Sequence, residues 1–111
     1  MDFEFDDLKK EFLAEADAKV KEIGDVLRVA TPASSESLER TMYLAHQLKG
    51  AGGSYGFQSI STDAAALESA LENLAKGNST EANYEISRRL SSLAAEIEWR
   101  SRELASRPTS P

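Results

Sequence analysis

The sequence contains no cysteine, one histidine and three prolines among its 111 residues. Without cysteine, the chain has no disulfide framework, no thiolate metal site and no dithiol redox pair, which fits a reducing compartment. With His46 as the only histidine, carboxylates alone would have to complete the coordination shell of a metal ion. The sequence therefore gives poor support to a metal site, and we expect none.

The chain also lacks a long apolar run and an excess of positive charge. No segment approaches the roughly 20 apolar residues of a membrane-spanning helix, and the start, MDFEFDD, has neither the basic residues nor the apolar run of a signal peptide. Thirteen basic and nineteen acidic residues give a formal net charge of −6, the wrong sign for binding a phosphate backbone. We therefore expect a cytoplasmic protein that binds neither nucleic acid nor membrane.

Apolar residues recur with a helical period over most of the chain. Steps of three and four predict four amphipathic helices joined by short connections, and no segment has the period of two that predicts a strand. The predicted fold is all-α, an antiparallel up-down four-helix bundle with its only histidine on the second helix. We place the bundle at residues 1–105 and a disordered or linker-like tail at residues 106–111.

Proline, glycine and hydroxyl residues predict where the helices begin and end. The run TPASS at residues 31–35 ends the first helix and offers N-caps for the second. Gly56 is expected in the left-handed conformation that ends many helices, Ser59 is expected to cap the third helix, and residues 76–78 end it. The predicted buried stripes of the first two helices are Leu8, Phe12, Ala16, Val20, Ile23, Leu27 and Ala30, then Leu38, Met42, Ala45, Leu48, Gly52 and Tyr55.

The histidine stands directly before a cluster of four glycines, in the run HQLKGAGGSYGF at residues 46–57. A glycine inside a helix lowers helix stability by roughly 1 kcal/mol relative to alanine. Four glycines in this run therefore indicate that a close approach or an open surface is required there. On a continuous helix, the positions that lie over His46 include Lys49, Gly50 and Gly53. The helix surface beside the imidazole is therefore nearly bare, and a lysine brings positive charge to it.

A lone histidine has several competing interpretations. It is most often a solvated surface residue, and next most often a core residue with one hydrogen bond. The glycine run lacks the G-x-x-x-x-G-K-[ST] and G-x-G-x-x-G spacings of nucleotide-binding loops, and no spacing selects a serine and an acid for a hydrolase triad. A histidine that accepts and donates a phosphoryl group uses all the features at once. Neutral imidazole is nucleophilic, and phosphoryl transfer depends mainly on positioning and charge stabilisation.

The run at residues 46–57 resembles the signature of histidine-containing phosphotransfer domains, roughly H-x-hydrophobic-K-G-small-small-x-x-hydrophobic-G. It is most similar to the version at the N-terminus of chemotaxis-type histidine kinases, as is FLAEAD at residues 12–17. The resemblance covers three helices, and the fourth only in its general pattern. It implies that His46 is phosphorylated on the ring nitrogen remote from the backbone and that Lys49 stabilises the phosphoryl oxygens. Gly50 and Gly53 would keep the approach open.

The resemblance also extends to Glu68 on the third helix. The chemotaxis subfamily has a glutamate there that hydrogen-bonds the active histidine and fixes its tautomer, while the alternative for Glu68 is a solvated helix charge. That subfamily often has a second histidine where this chain has Ala65. For contact with a partner, helical geometry alone selects Glu39, Met42 and Tyr43, although Met42 also belongs to the predicted core stripe.

The expected function is that of a phosphocarrier in two-component signalling. His46 would take a phosphoryl group from a kinase ATP site or a receiver aspartate and pass it to the aspartate of a response-regulator receiver domain. We expect no cofactor on this chain, Mg²⁺ on the partner receiver or kinase, and a histidine kinase ATP-binding domain in cis or trans. The chain is either a complete protein or, as its tail and motif favour, the N-terminal domain of a kinase.

Two alternative functions remain open at this point. The first is a non-catalytic helical module that docks a receiver domain without transferring phosphate. The second is a plain structural bundle, against which the four glycines of the run at residues 46–57 are the main argument.

Overall fold

The computed structural model of the chain describes residues 2–29, 35–77 and 79–106. They form four helices: α1 spans Asp2–Val29, α2 Ser35–Ser54, α3 Gln58–Ala75 and α4 Ser79–Ala105. Each helix packs against the next along the chain, and α1 also packs against α4, which closes the bundle. Within these described ranges there is no strand, and the all-α four-helix bundle predicted from the sequence is confirmed.

The core lies between the four helices and consists almost entirely of aliphatic side chains. Leu8 was predicted to belong to it, but its side chain is 47% exposed. Leu13, Leu44 and Phe57 are buried although the predicted stripes omit them. The largest fully buried side chains are Leu13, Ile23, Leu44, Leu48, Ile60, Leu67, Leu71, Leu93, Ile97 and Thr41.

The turn between α2 and α3 is only three residues long, from Tyr55 to Phe57. Gly56 has a φ of +83°, as its predicted left-handed role requires. The Phe57 N–H donates to the Gly52 carbonyl at 2.8 Å, and the Gly56 N–H donates to the Gly53 carbonyl at 3.1 Å. These bonds satisfy the last carbonyls of α2 and hold α3 close beside it.

The predicted N-cap of α3 is wrong. Helix α3 begins at Gln58 with Phe57 in the N-cap position, and no side chain caps it. The Phe57 carbonyl already accepts the first helical bond, from the Ser61 N–H at 3.0 Å, so Ser59 falls inside the first turn. Other expected helix boundaries and most of the tail lie outside the described residues, namely Ala30, residues 31–34, Asn78 and residues 107–111.

A polar cluster joins α3 to α4. The Arg89 Nη1 atom donates to Asp63 Oδ1 at 2.7 Å, and the Ser92 hydroxyl donates to Asp63 Oδ2 at 2.6 Å. Arg89 Nε also donates to Glu85 Oε2 at 2.8 Å. The hydrogen bonds that Arg89 donates, chiefly the one to Glu85 and then the one to Asp63, raise the pKa of Arg89 above its ordinary value. Asp63 is buried, and its partners offset the cost of removing its charge from water.

Candidate functional site

Three of the residues expected at the site meet on the outer surface of the α2–α3 pair. His46 lies in the middle of α2, and its side chain is 63% exposed. Its Nδ1 atom lies 3.1 Å from Glu68 Oε2 on α3. Lys49 Nζ lies 3.0 Å from the other oxygen of the same carboxylate, Oε1. Glu68 therefore bridges the imidazole and the ammonium, and the interpretation of Glu68 as an isolated surface charge does not fit this geometry.

The carboxylate selects one tautomer of the neutral imidazole. An ionised carboxylate only accepts hydrogen bonds, so the bond to Glu68 requires the proton on Nδ1 of His46. The lone pair of the neutral ring then resides on Nε2, on the solvent side. Within the described part of the chain, Nε2 has no hydrogen-bonding partner. The site thus presents an oriented imidazole with one unpaired ring nitrogen and a positive charge one turn away.

The glycines of α2 divide into two structural groups. A Cβ atom added at Gly50 would meet nothing within 4 Å, and one added at Gly53 would meet only the Ser61 hydroxyl, at 3.6 Å. A Cβ atom at Gly52 would lie 3.1 Å from the Ser61 backbone nitrogen and 3.3 Å from Ile60 Cγ2. Gly52 therefore permits close packing of α3, whereas Gly50 and Gly53 are exposed and leave open surface beside His46.

The three residues selected for partner contact do not share one environment. Glu39 and Tyr43 are exposed on α2, two turns and one turn before His46, respectively. The Tyr43 hydroxyl accepts a hydrogen bond from Gln47 Nε2 at 2.9 Å, which holds the phenol ring along the helix surface. Met42 is only partly exposed and packs against the core. Glu39 and Tyr43 are thus available to a partner, and Met42 is mainly a packing residue.

Sequence reasoning missed Ser61. Its hydroxyl donates to the Lys49 carbonyl at 2.8 Å, across the α2–α3 interface. The signal that would have found it is its spacing from Glu68, because residues seven apart lie on the same face of a helix.

Elsewhere on the described surface, the structure shows two grooves and no cluster of metal-ligating residues. The described residues contain no group of three or more histidine, cysteine, aspartate or glutamate residues that could hold a metal ion. Two open grooves lie between α3 and α4 and between α1 and α4, and neither is lined by His46. Among the helices of the described ranges, none combines the length and the apolar character that crossing a bilayer requires.

Fold and site together define a helical bundle that exposes one histidine beside a lysine and a carboxylate. A family model of the Hpt domain matches residues 7–99, a range that includes His46, Lys49 and Glu68. The chain therefore belongs to the Hpt domain family, whose members act as phosphocarriers with receiver and kinase partners in two-component systems. A search of the curated proteins and a search of the solved structures each gave no match.

Proposed function

We propose that Nε2 of His46 is the phosphoacceptor of this chain. The observation that carries the proposal is the Glu68 carboxylate at 3.1 Å from Nδ1, because that contact leaves the lone pair on Nε2. The high exposure of the imidazole supports the same assignment, since a phosphodonor must reach the ring in line with the bond that breaks.

The proposed transfer conserves atoms and charge through simple steps. The Nε2 lone pair attacks phosphorus, an N–P bond forms, and the P–O bond to the donor breaks, with its electron pair leaving on the donor oxygen. The ring then carries positive charge and keeps its proton on Nδ1, where the carboxylate of Glu68 stabilises it. In the second transfer, a receiver carboxylate oxygen attacks phosphorus and the N–P electron pair returns to Nε2.

Lys49 is the proposed stabiliser of the phosphoryl oxygens. Its ammonium already lies at the site through its contact with Glu68, on a flexible stem that is partly exposed. Moving from the carboxylate toward a phosphoryl group on His46 requires rotation of side-chain bonds only. Gly50 and Gly53 leave the neighbouring surface open for the approach of a partner.

The proposed partners follow from what the site lacks and what the sequence resembles. The recipient is a response-regulator receiver domain, which docks on the α2 surface that carries Glu39 and Tyr43. A histidine kinase ATP-binding domain supplies the phosphoryl group, in cis or in trans, and Mg²⁺ belongs to the receiver or kinase. The similarity of HQLKGAGGSYGF and FLAEAD to chemotaxis-type kinases supports a cytoplasmic kinase of that type as the parent protein.

The test is phosphorylation of the purified chain by phosphoramidate, a small phosphodonor, followed by ³¹P NMR and tandem mass spectrometry. We expect acid-labile phosphate on His46 and its transfer to a receiver domain from the same organism. His46→Gln should lose more than ~1,000-fold of the phosphorylation rate, because the nucleophile is gone. Its stability should change by less than about 0.5 kcal/mol, because the side chain is exposed.

A partly exposed residue next to His46 on the same helix provides the control. Gln47→Ala removes a neighbouring polar side chain and its bond to Tyr43, and it should accept phosphate at the rate of the wild type. Phosphate that persists on the His46→Gln variant would exclude this histidine as the acceptor. Receiver binding of equal affinity in wild type and variant, without transfer in either, would instead indicate a non-catalytic docking module.

A further inference from the structure

Ser61 connects α3 to α2 at the backbone of a site residue. Its hydroxyl donates to the Lys49 carbonyl at 2.8 Å in a partly buried position. The ammonium of the same lysine lies 3.0 Å from Glu68 Oε1. Residues of α3 therefore hold Lys49 at both ends, at its carbonyl through Ser61 and at its ammonium through Glu68.

Ser61 and Glu68 are aligned on α3. They are seven residues apart, so both lie on the face toward α2, separated by about 10.5 Å along the helix axis. Between them on this face stand the small residues Ala64 and Ala65. A shift of α3 along α2, or a rotation about its own axis, would change both contacts together, since the helix moves as a rigid rod.

The two backbones approach closely where Ser61 lies. A Cβ atom at Gly52 would be 3.1 Å from the Ser61 nitrogen, a distance that leaves no space for a side chain between the helices. The same close approach allows the short serine side chain to reach a carbonyl of α2. At Gly53 the space beside the Ser61 hydroxyl is unfilled, so the hydroxyl keeps its position without steric conflict.

We propose that Ser61 is a positioning residue for the phosphotransfer site. Its hydroxyl fixes α3 against α2 so that the Glu68 carboxylate meets both Nδ1 of His46 and Nζ of Lys49. This inference rests on the proposed function and deepens it. When the hydroxyl is removed, α3 gains freedom to shift, the contact with Nδ1 weakens, and the proton of the neutral imidazole is shared between the two ring nitrogens.

The experiment compares Ser61→Ala with Ser92→Ala. Both variants lose a serine hydroxyl that joins α3 to a neighbouring helix, but the Ser92 hydroxyl bonds to Asp63 on the α4 side of α3. The first measurement is the tautomer ratio of the His46 ring, from ¹⁵N NMR of the unphosphorylated protein at pH 8, where histidine side chains are ordinarily neutral. We expect the Nδ1–H form to dominate in wild type and in Ser92→Ala, and the Nε2–H fraction to rise several-fold in Ser61→Ala.

The second measurement is the rate of phosphorylation by phosphoramidate. Ser61→Ala should be roughly 5- to 20-fold slower than wild type, because a small misplacement of the nucleophile is costly. Ser92→Ala should keep the rate of the wild type. Ser61→Thr, which retains a hydroxyl at this position, should restore both the tautomer ratio and the rate.

Three results would each contradict one of the two proposals. A Ser61→Ala variant with the tautomer ratio of the wild type overturns the positioning role. An equal change in Ser92→Ala overturns it as well, because general loosening of α3 would then explain the effect. If the tautomer ratio responds to Ser61→Ala but the wild type accepts no phosphate, the positioning role of Ser61 is supported and the proposed function is wrong.

Discussion

Helix α3 carries two carboxylates that face opposite neighbours and have different surroundings. Asp63 faces α4, where Arg89 and Ser92 donate to it, and its side chain is only 12% exposed. Glu68 faces α2, where it contacts His46 and Lys49, and its side chain is 20% exposed. Each carboxylate thus has one cationic partner and one further partner. The difference lies in the cationic partners, since the Lys49 side chain is 38% exposed and that of Arg89 is 25% exposed.

The comparison separates a carboxylate that holds two helices together from one that, in the proposed function, orients the phosphoacceptor. Arg89 does not deprotonate in proteins, and Glu85 also holds it, so the Asp63 cluster has one stable arrangement. His46 has an unoccupied nitrogen in the described surroundings, and the ammonium of Lys49 can exchange one anionic partner for another. A carboxylate whose donors have fixed positions and charges stabilises the fold. A carboxylate whose partners stay accessible to other molecules can also orient those partners for a reaction.

The largest effect should come from removing each carboxylate in turn. Asp63→Ala leaves the largely buried Arg89 guanidinium and the Ser92 hydroxyl without their acceptor, and we expect a loss of about 2 to 3 kcal/mol in the free energy of unfolding. Glu68→Ala should cost less than about 1 kcal/mol, because its partners reach water. Urea unfolding measures both values. Equal losses would remove the distinction between the two sides of α3.

The glycines allow the same comparison within α2. Gly52→Leu should destabilise the fold by about 2 kcal/mol, because the new side chain meets the α3 backbone. Gly53→Leu should leave stability unchanged or raise it by up to about 1 kcal/mol, since leucine favours the helix and the space is open. The same Gly53→Leu variant should transfer phosphate roughly tenfold more slowly, because the leucine would obstruct the approach to His46. A Gly53→Leu variant that is less stable than the wild type but transfers phosphate at the normal rate would contradict the role of Gly53 in access.

The smallest effect concerns how the stability of the fold depends on pH through Glu85 on α4. Hydrogen bonds, first from Arg89 and then from Arg88, lower the pKa of Glu85 below its usual value. A carboxyl whose pKa is lowered by folding adds stability above its unfolded pKa of about 4.3, and this contribution disappears as the pH falls through the folded value. Glu85→Gln should therefore lose less stability than wild type between pH 7 and pH 3 in thermal unfolding. Identical losses in the two proteins would contradict this role.

The sequence was sufficient for the fold and for part of the site. Helical periodicity predicts the four helices, and a local motif brings His46 and Lys49 onto one face, because positions three apart on a helix are neighbours whatever the helix packs against. Glu68 entered only through resemblance to a family, since no local rule states which residue of α3 faces a given residue of α2. Ser61 was missed for the same reason. Its role depends on how closely two helices approach, which Gly52 sets through tertiary packing.

The three-residue turn after α2 has a consequence for the entropy of assembling the site. His46, Lys49, Ser61 and Glu68 all belong to one helical hairpin, and the segment that reverses the chain between them runs only from Tyr55 to Phe57. The loop-closure entropy of bringing these groups together is therefore small, and it does not depend on the length of the connections before α2 or after α3. Insertions in those connections leave the chain path between the four site residues unchanged. The candidate site is thus local in sequence, although α1 and α4 are needed to bury the hairpin's apolar face.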